Sequence, residues 1–483
     1  MTGLLDLPNE VLSRIATRLS DADHGSLFNL VLVNMRLNFI ARPFLVRRWP
    51  PRGGVFHGHR PAYDRFALHL LRNPTLRRYI RVLNVDDPST RQDRDDDVRM
   101  AVSRDELEQI ADAGLQNWPA LERLSEWREQ ILEGVDDAFV VLFLLWASDL
   151  VEFNLIVPLI ADMRQDGEEQ LTLSFMSQLA RRFRDVPEDV YPDYLPLVRL
   201  QSVQYKHWNT EFGVQGQFAA PFFYLRSMRS FFGYRIEMPR PHIEENDEGG
   251  NGDDNNPQST YLTVFPVGTS PVEEIILDYS DMCLEAVETF IRAPRRLRTF
   301  ALDFGNVLDT REVDSSRLAE LLVARADSLQ NLALDWGNSP VLEITARGPL
   351  KIEQCFQKLH RLEYLELPLY MLCEDGEIDG QTFISLNSQL LPKSLRCLCL
   401  VGGAYWKFDS EVGRNKMVDS VEAFILKCGP GGEFPNMEAL ELIFLTDPSR
   451  EDNYRQRLTE IGHRKNVRVV FNRYKWRTWP KYH

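Results

Sequence analysis

Leu297-Arg298-Thr299-Phe300-Ala301-Leu302-Asp303 and Leu329-Gln330-Asn331-Leu332-Ala333-Leu334-Asp335 carry one pattern, with apolar residues at relative positions zero, three and five and aspartate at six. It recurs towards the C-terminus at Leu362/Leu365/Leu367, Leu395/Leu398/Leu400 and Met437/Leu440/Leu442. Weaker copies precede it at Ile80/Leu83/Val85, Leu150/Phe153/Leu155, Leu200/Val203/Tyr205, Met228/Phe231/Gly233 and Val272/Ile275/Leu277. Side chains two apart on an extended strand share a face, so each copy predicts a short strand with its apolar residues turned one way. The closest starts are 25, 32 and 33 residues apart, within or just beyond the period of repeats built from one strand and one helix.

Helical patterns lie between the copies: Leu284/Val287/Phe290/Ile291, Leu318/Leu321/Leu322, Ile352/Cys355/Phe356/Leu359 and Val418/Val421/Phe424/Ile425. The stretch from Asp105 to Trp146 is mostly helical in pattern, with Asp136-Asp137-Ala138 opening the helix before the Leu150 strand. One strand and one helix cannot bury both their faces, so successive units must stack on a shared core. The expectation is an α/β chain in which residues 60–483 form a curved solenoid. With its irregular spacing and missing asparagines it resembles a degenerate leucine-rich-repeat array. The alternative is a parallel-sheet α/β enzyme, which a phosphate-cradling glycine loop would favour, and the sequence has none.

The N-terminus reads differently. Pro8 suits the first turn of a helix and Glu10 complements its positive end. Val11, Leu12, Ile15 and Leu19 follow at helical spacing, then a break at Ser20-Asp21-Ala22-Asp23. A second apolar run holds Leu27, Leu30, Val31 and Val33, and a third helix would carry Leu37, Ile40, Ala41, Phe44 and Leu45. Three helices in about 45 residues are marginal without a metal, disulfide or partner, so part of this apolar surface is expected to meet another protein.

Leu7-Pro8-Asn9-Glu10-Val11-Leu12 with Ile15 and Leu19, then Leu30-Val31-Leu32-Val33-Asn34-Met35-Arg36 and Ala41-Arg42-Pro43-Phe44-Leu45, resembles an F-box of the form seen in filamentous fungi. Asn34 departs from the serine frequent there. The resemblance implies a helical domain over residues 1–50 that docks on the Skp adaptor of a cullin-RING ubiquitin ligase. It carries adaptor binding onto Leu7, Pro8, Val11, Leu12, Ile15, Leu19, Leu27 and Leu30.

Composition bounds the rest. A chain of 483 residues with 44% hydrophobic content has ample core, and its length allows about three domains. A formal charge of −15 argues against a general nucleic-acid binder, whose affinity rests on cations neutralising phosphates. Six scattered cysteines, none before Cys283, fit reduced thiols in an intracellular protein. No basic, apolar leader opens the sequence, and the run Phe139 to Ala147 is too short to cross a bilayer. The expected location is cytoplasm, nucleus or both, with no membrane contact.

Two polar stretches, Asp86 to Arg99 and the acidic insert 242–258, read as solvated loops; the insert is too acidic and glycine-rich to pack. Neither has the ligand spacing of a calcium loop. His57 and His59 lack a cysteine or carboxylate at ligand spacing, and Cys397-Leu398-Cys399 is not a paired zinc motif. No nucleophile elbow, zinc-protease helix or dinucleotide fingerprint occurs. No catalytic residue, metal or cofactor is therefore expected.

If positions zero, three and five face the core, positions two, four and six line the other face of the sheet. That places Asp278, Asp303, Asp335, Tyr364, Glu366 and Glu441 there, and turns Cys397 and Cys399 away from the core. Such a row of carboxylates would attract a basic protein segment; alternatively the aspartates only end strands and open turns. Tyr279, Phe304 and Trp336, one residue further on, should turn back to pack. The C-terminal run Arg464 to Lys481 interleaves cations with aromatic rings, which suits single-stranded nucleic acid or a last strand, Val467 to Phe471, with a tail capping the stack.

These readings converge on the substrate-recognition subunit of an SCF-type ubiquitin ligase, binding the Skp adaptor through its first helices and a protein target through its repeats. The alternative is a repeat scaffold without a ligase, its first helices serving as a cap. A nucleic-acid-associated factor using the basic C-terminus comes third.

Overall fold

The computed structural model describes residues 4–50, 62–85, 88, 102–117, 124–157, 170–187, 195–207, 213–238, 262–304, 312–335, 343–345, 352–378, 381–402, 411–443 and 452–472. The acidic insert 242–258, the stretch Asp86 to Arg99 apart from Pro88, His57, His59, Trp336 and the tail beyond residue 472 lie outside the described residues. The chain divides into two compact units. The first is Met1–Tyr234 with Ile243–Pro266, and the second is Arg235–His242 with Val267–His483.

Unit 1 begins with three helices: α1 (Asn9–Ala22), α2 (His24–Val33) and α3 (Met35–Ala41). Each break is made by a side chain that caps the next helix. Asp23 accepts from the Ser26 N–H (3.1 Å) and Asn34 from the Leu37 N–H (2.9 Å), each satisfying an otherwise orphaned donor. Asparagine caps as well as serine does, which is why the departure at position 34 leaves the helix start intact. The Arg36 guanidinium donates to the Leu7 carbonyl (2.7 Å) and Asn9 Oδ1 (2.9 Å), clamping the start of α1 onto α3.

A ladder of parallel strands follows within unit 1: β1 (Arg48–Trp49), β2 (Val82–Val85), β3 (Glu152–Ile156), β4 (Ser202–Lys206) and β5 (Ser230–Tyr234). Register runs Asn84↔Asn154↔Gln204↔Phe232. β1 ties the helical segment directly to this sheet, with Arg48 opposite Val82 and Phe44 edge-on to Tyr79 at 5.8 Å. Helices α4 (Tyr63–Arg72), α5 (Arg104–Asn117), α6 (Leu124–Glu133), α7 (Asp136–Trp146) and α8 (Leu171–Asp185) complete the unit. α7 opens at Asp136 as expected and is buried almost all round, which accounts for the apolar run from Phe139 to Ala147. Among the described residues no helix is long and apolar enough to cross a membrane.

Unit 2 repeats the scheme with β6 (Glu274–Asp278), β7 (Thr299–Asp303), β8 (Asn331–Asp335), β9 (Tyr364–Pro368), β10 (Cys397–Val401), β11 (Ala439–Ile443) and β12 (Arg468–Asn472). All are parallel, in the register Ile276↔Ala301↔Ala333↔Glu366↔Cys399↔Glu441↔Val470. Helices α9 (Leu284–Arg292), α10 (Ser315–Val323), α11 (Ile352–Cys355), α12 (Glu411–Leu426) and α13 (Asp452–Arg464) lie between the strands in sequence.

Every one of the ten copies read from the sequence supplies a strand, and its residues at zero, three and five are buried. The copies also share a hydrogen-bond device. At seven of them, Ile80, Leu150, Leu200, Met228, Leu362, Leu395 and Met437, the N–H at position zero donates to the carbonyl three residues earlier, making a tight turn into the strand. The carbonyl at position one then receives two N–H groups of the next strand: Arg396 O takes those of Glu438 (2.8 Å) and Ala439 (3.0 Å), and Glu363 O those of Arg396 (2.8 Å) and Cys397 (2.9 Å). Position-one residues therefore line up along the leading edge of each ladder.

The second face of the sheet departs from expectation. All five residues of β7 are buried, as are four of five in β8 and β9, so both faces of these strands are covered. In β3, by contrast, burial alternates, and Glu152, Asn154 and Ile156 remain half-buried.

Candidate functional site

Two groups of residues were candidates for recognition, and the structure treats them oppositely. In the N-terminal helices, Leu12 and Leu27 are buried in the bundle's own two clusters, Leu12/Leu37/Ile40 and Ala16/Leu27/Val31/Ala41. Leu7, Ile15, Leu19 and Leu30 are partly buried against the same clusters. Pro8 and Val11 alone of the eight are exposed. The helical spacing that singled these residues out reports mainly the face that α1 turns to α2 and α3. Leu12 and Leu27 serve the fold and offer no surface to a partner.

The open apolar surface lies elsewhere. Phe28 (51% exposed), Leu32 (66%), Val33 (65%), Met35 (85%) and Phe39 (83%) stand out from α2 and α3 within twelve residues of chain. Phe28 and Leu32 are four apart on one helix, and Met35 and Phe39 four apart on the next, so each pair shares a face. The signal was present in the sequence. Leu27 to Val33 is apolar at every position but Asn29, and a ten-residue helix in so small a bundle can turn only part of its girth inward.

In unit 2 the carboxylates do not line an open face. Asp303 (3% exposed), Asp335 (8%) and Glu366 (3%) are buried, while Asp278, Tyr364 and Glu441 are half-buried. Asp303 and Asp335 sit side by side in register at the ends of β7 and β8. The Tyr364 hydroxyl donates to Glu366 Oε2 at 2.8 Å, and Asn331 Nδ2 donates to Thr299 Oγ1 at 3.0 Å on the neighbouring strand. These polar groups are tied to one another under cover, so the expectation of an acidic surface for a basic segment is corrected here. Strand alternation sorts side chains into two faces and does not report whether a face is open, and here Asp303, Asp335 and Glu366 are buried.

The same cover governs the thiols. Cys399 is buried and Cys397 half-buried. Burial, reinforced by Glu441, pushes the Cys397 thiol up to about 12, and burial with Glu366 and Glu441 nearby raises Cys399 as well. Both stay protonated at neutral pH and are poor nucleophiles. Phe304 packs inward as expected, but Tyr279 is half exposed with φ of +48°, a left-handed conformation unusual for a bulky residue. Among the described residues no group of three or more His, Cys, Asp or Glu side chains is arranged to hold a metal ion.

The group with a strongly shifted carboxyl is structural. Asp137, buried on α7, accepts from the backbone N–H of Leu171 (2.6 Å) and from the N–H and hydroxyl of Thr172, capping α8 from another helix. Burial raises its carboxyl to about 6 although these hydrogen bonds pull the other way.

The apolar surface of α2 and α3 is thus the most evident recognition feature among the described residues. No protein-family model matches the chain, and no curated protein matches it.

Proposed function

We propose that this chain is the substrate-recognition subunit of an SCF-type cullin-RING ubiquitin ligase, its α1–α3 segment docking on a Skp-type adaptor and its strand–helix units holding a protein target. The observation that supports this most is the exposure of Phe28, Leu32, Val33, Met35 and Phe39 on a segment whose sequence resembles an F-box. Fully burying a side chain of this size favours association by about 1.5–3 kcal/mol before ordering costs are met. In this reading the strand–helix stack is a degenerate leucine-rich array, acting in the cytoplasm or nucleus, that catalyses nothing. It raises the effective concentration of the target beside the ubiquitin-carrying enzyme. Such a role calls for controlled spacing between the two binding regions, and within unit 1 the pairing of β1 with β2 fastens the helical segment to its sheet.

That same pairing favours a second reading, in which α1–α3 simply cap the stack of a protein-binding scaffold with no ligase. Pull-down of a Skp-type adaptor by the full chain separates the two. Phe39→Asp alters a side chain outside the core and should abolish capture while the thermal unfolding midpoint stays put. Ile15→Asp is the weaker probe, since Ile15 packs on Leu12 and Ile40 and its loss would unfold the bundle. Absence of capture by the unaltered chain would leave the scaffold reading.

A further inference from the structure

The leading edge of unit 2 carries a surface of opposite sign to the one the sequence advertised. Position-one residues and the turns before them enclose two adjoining hollows of about 370 and 470 Å³. The first is lined by Gln330, His360, Arg361, Glu363, Ser394, Arg396 and Asn436. Arg396 and Asn436 also belong to the second, which continues past Glu438 to Gly429, Lys465 and Asn466. Together they make one groove crossing the starts of β9, β10, β11 and β12.

Its charges are unevenly committed. Both carboxylates are spent on Arg396, whose guanidinium reaches Glu438 at 2.6 Å and Glu363 at 3.5 Å. At the two ends, Arg361 is exposed and Lys465 half-buried, and among the described residues neither side chain forms an ion pair. A chain of net charge −15 therefore holds, at the two ends of this groove, two cations without an ion pair among the described residues. The wall beside Lys465 is closely packed. Gly429 has φ of +88°, and a Cβ there would lie 2.7 Å from the Lys465 carbonyl oxygen; Asn466 opposite is also left-handed at +59°. The Gly429 N–H donates to Phe434 O and the Phe434 N–H to Lys427 O, both at 3.1 Å, fixing the turn without any ligand.

We propose that this groove binds an acidic peptide segment of the target in extended form, with two carboxylates paired to Arg361 and Lys465. Three strand spacings of about 4.8 Å separate the ends, roughly 14 Å, which an extended chain covers in about four residues. The acidic side chains should therefore stand about four positions apart. Between them Arg396, already neutralised, together with Ser394 and Asn436, offers polar contacts to the peptide backbone. The inference rests on the reading of unit 2 as the part that holds a target, and it does not depend on the adaptor. An acidic protein repels most acidic partners at long range, so only a segment that fits the groove gains the two short contacts.

Random dodecapeptides displayed and selected on the full chain test this. Acid pairs spaced by four should be enriched at least ten-fold over basic or neutral sequences. The best peptide, labelled and titrated, should bind at least ten-fold more weakly to Arg361→Glu/Lys465→Glu and about three-fold more weakly to Arg361→Gln or Lys465→Gln, with thermal unfolding midpoints unchanged. Phe39→Asp, which removes adaptor capture in the proposed function, should leave peptide affinity intact, so the two ideas fail separately. Selection of basic or neutral peptides overturns the proposal. So does acidic-peptide affinity that survives the double reversal, or single-stranded polyuridylate binding more tightly than the peptide and losing affinity with the same variants.

Discussion

Phe39 and Glu366 are each found where their chemistry alone would not put them. The phenylalanine stands in solvent on a three-helix segment, and the glutamate lies buried in a seven-stranded ladder of unit 2. Size accounts for both. A segment of about 45 residues encloses only two small clusters, so α2, apolar nearly all round, has nowhere to hide half of its side chains. In the middle strands of unit 2, β7 to β9, nearly every residue is buried, and the polar residues they carry are enclosed with their neighbours. An exposed apolar group invites a partner to cover it. A buried carboxylate instead draws on donors of its own chain, as Glu366 Oε2 does in accepting from the Tyr364 hydroxyl.

The largest test of that contrast places one charge at two sites twelve residues apart. Leu27→Asp puts an unpaired carboxylate in a cluster with Ala16 and Val31 and should cost more than about 4 kcal/mol, unfolding α1–α3. Phe39→Asp should change stability by no more than about 0.5 kcal/mol. Urea titration of both variants reads the difference; equal losses would mean that Phe39 is a core residue in solution.

Asp137 extends the comparison to a second buried acid. Its carboxyl is raised to about 6 from 3.8, so the folded state holds the proton more tightly than the unfolded one. The stability this gives is complete below about pH 3.8 and is lost as pH rises through about 6, a difference of about 3 kcal/mol. Asp137→Asn keeps an acceptor for the Leu171 N–H without the charge. It should exceed the unaltered chain in stability at pH 7.5 and lose that advantage towards pH 4. A stability difference that does not vary over this range would show that the Asp137 carboxyl is solvated.

Smaller effects belong to single hydrogen bonds. Tyr364→Phe deprives Glu366 of a donor and should cost about 1–3 kcal/mol, read by urea titration; no measurable cost would mean the face is open to water. Asn34→Ala removes the cap of α3 and should cost about 1 kcal/mol, whereas Asn34→Ser should be close to neutral. Amide hydrogen exchange at Leu37, whose N–H the cap holds, reports both variants directly.

These regions also mark where the sequence was readable. Leu297, Phe300 and Leu302 announce their strand because a buried face imposes a fixed spacing, and the same rule found nine further strands down to Met228/Phe231/Gly233 with its glycine. The helix faces at Leu284/Val287/Phe290/Ile291 and Leu318/Leu321/Leu322 were legible for the same reason. Periodicity reports which side chains share a face but not what lies over that face, so the burial of Asp303 and Asp335 is not legible from it. It also underrates a helix that is apolar in every direction, since no preferred side emerges; Phe28 and Leu32 were lost in that way. The groove at Arg361 and Lys465 was out of reach altogether. Its residues come from turns 104 positions apart and meet only through the register of four strands.

Calorimetric titration of the full chain with a purified Skp-type adaptor tests the proposed docking face on α2 and α3. A one-to-one complex is expected, its affinity falling at least a hundred-fold in Met35→Asp/Phe39→Asp while the unfolding midpoint of the free chain is unchanged. Equal affinity in the two chains, or no heat of binding to the unaltered one, would contradict it.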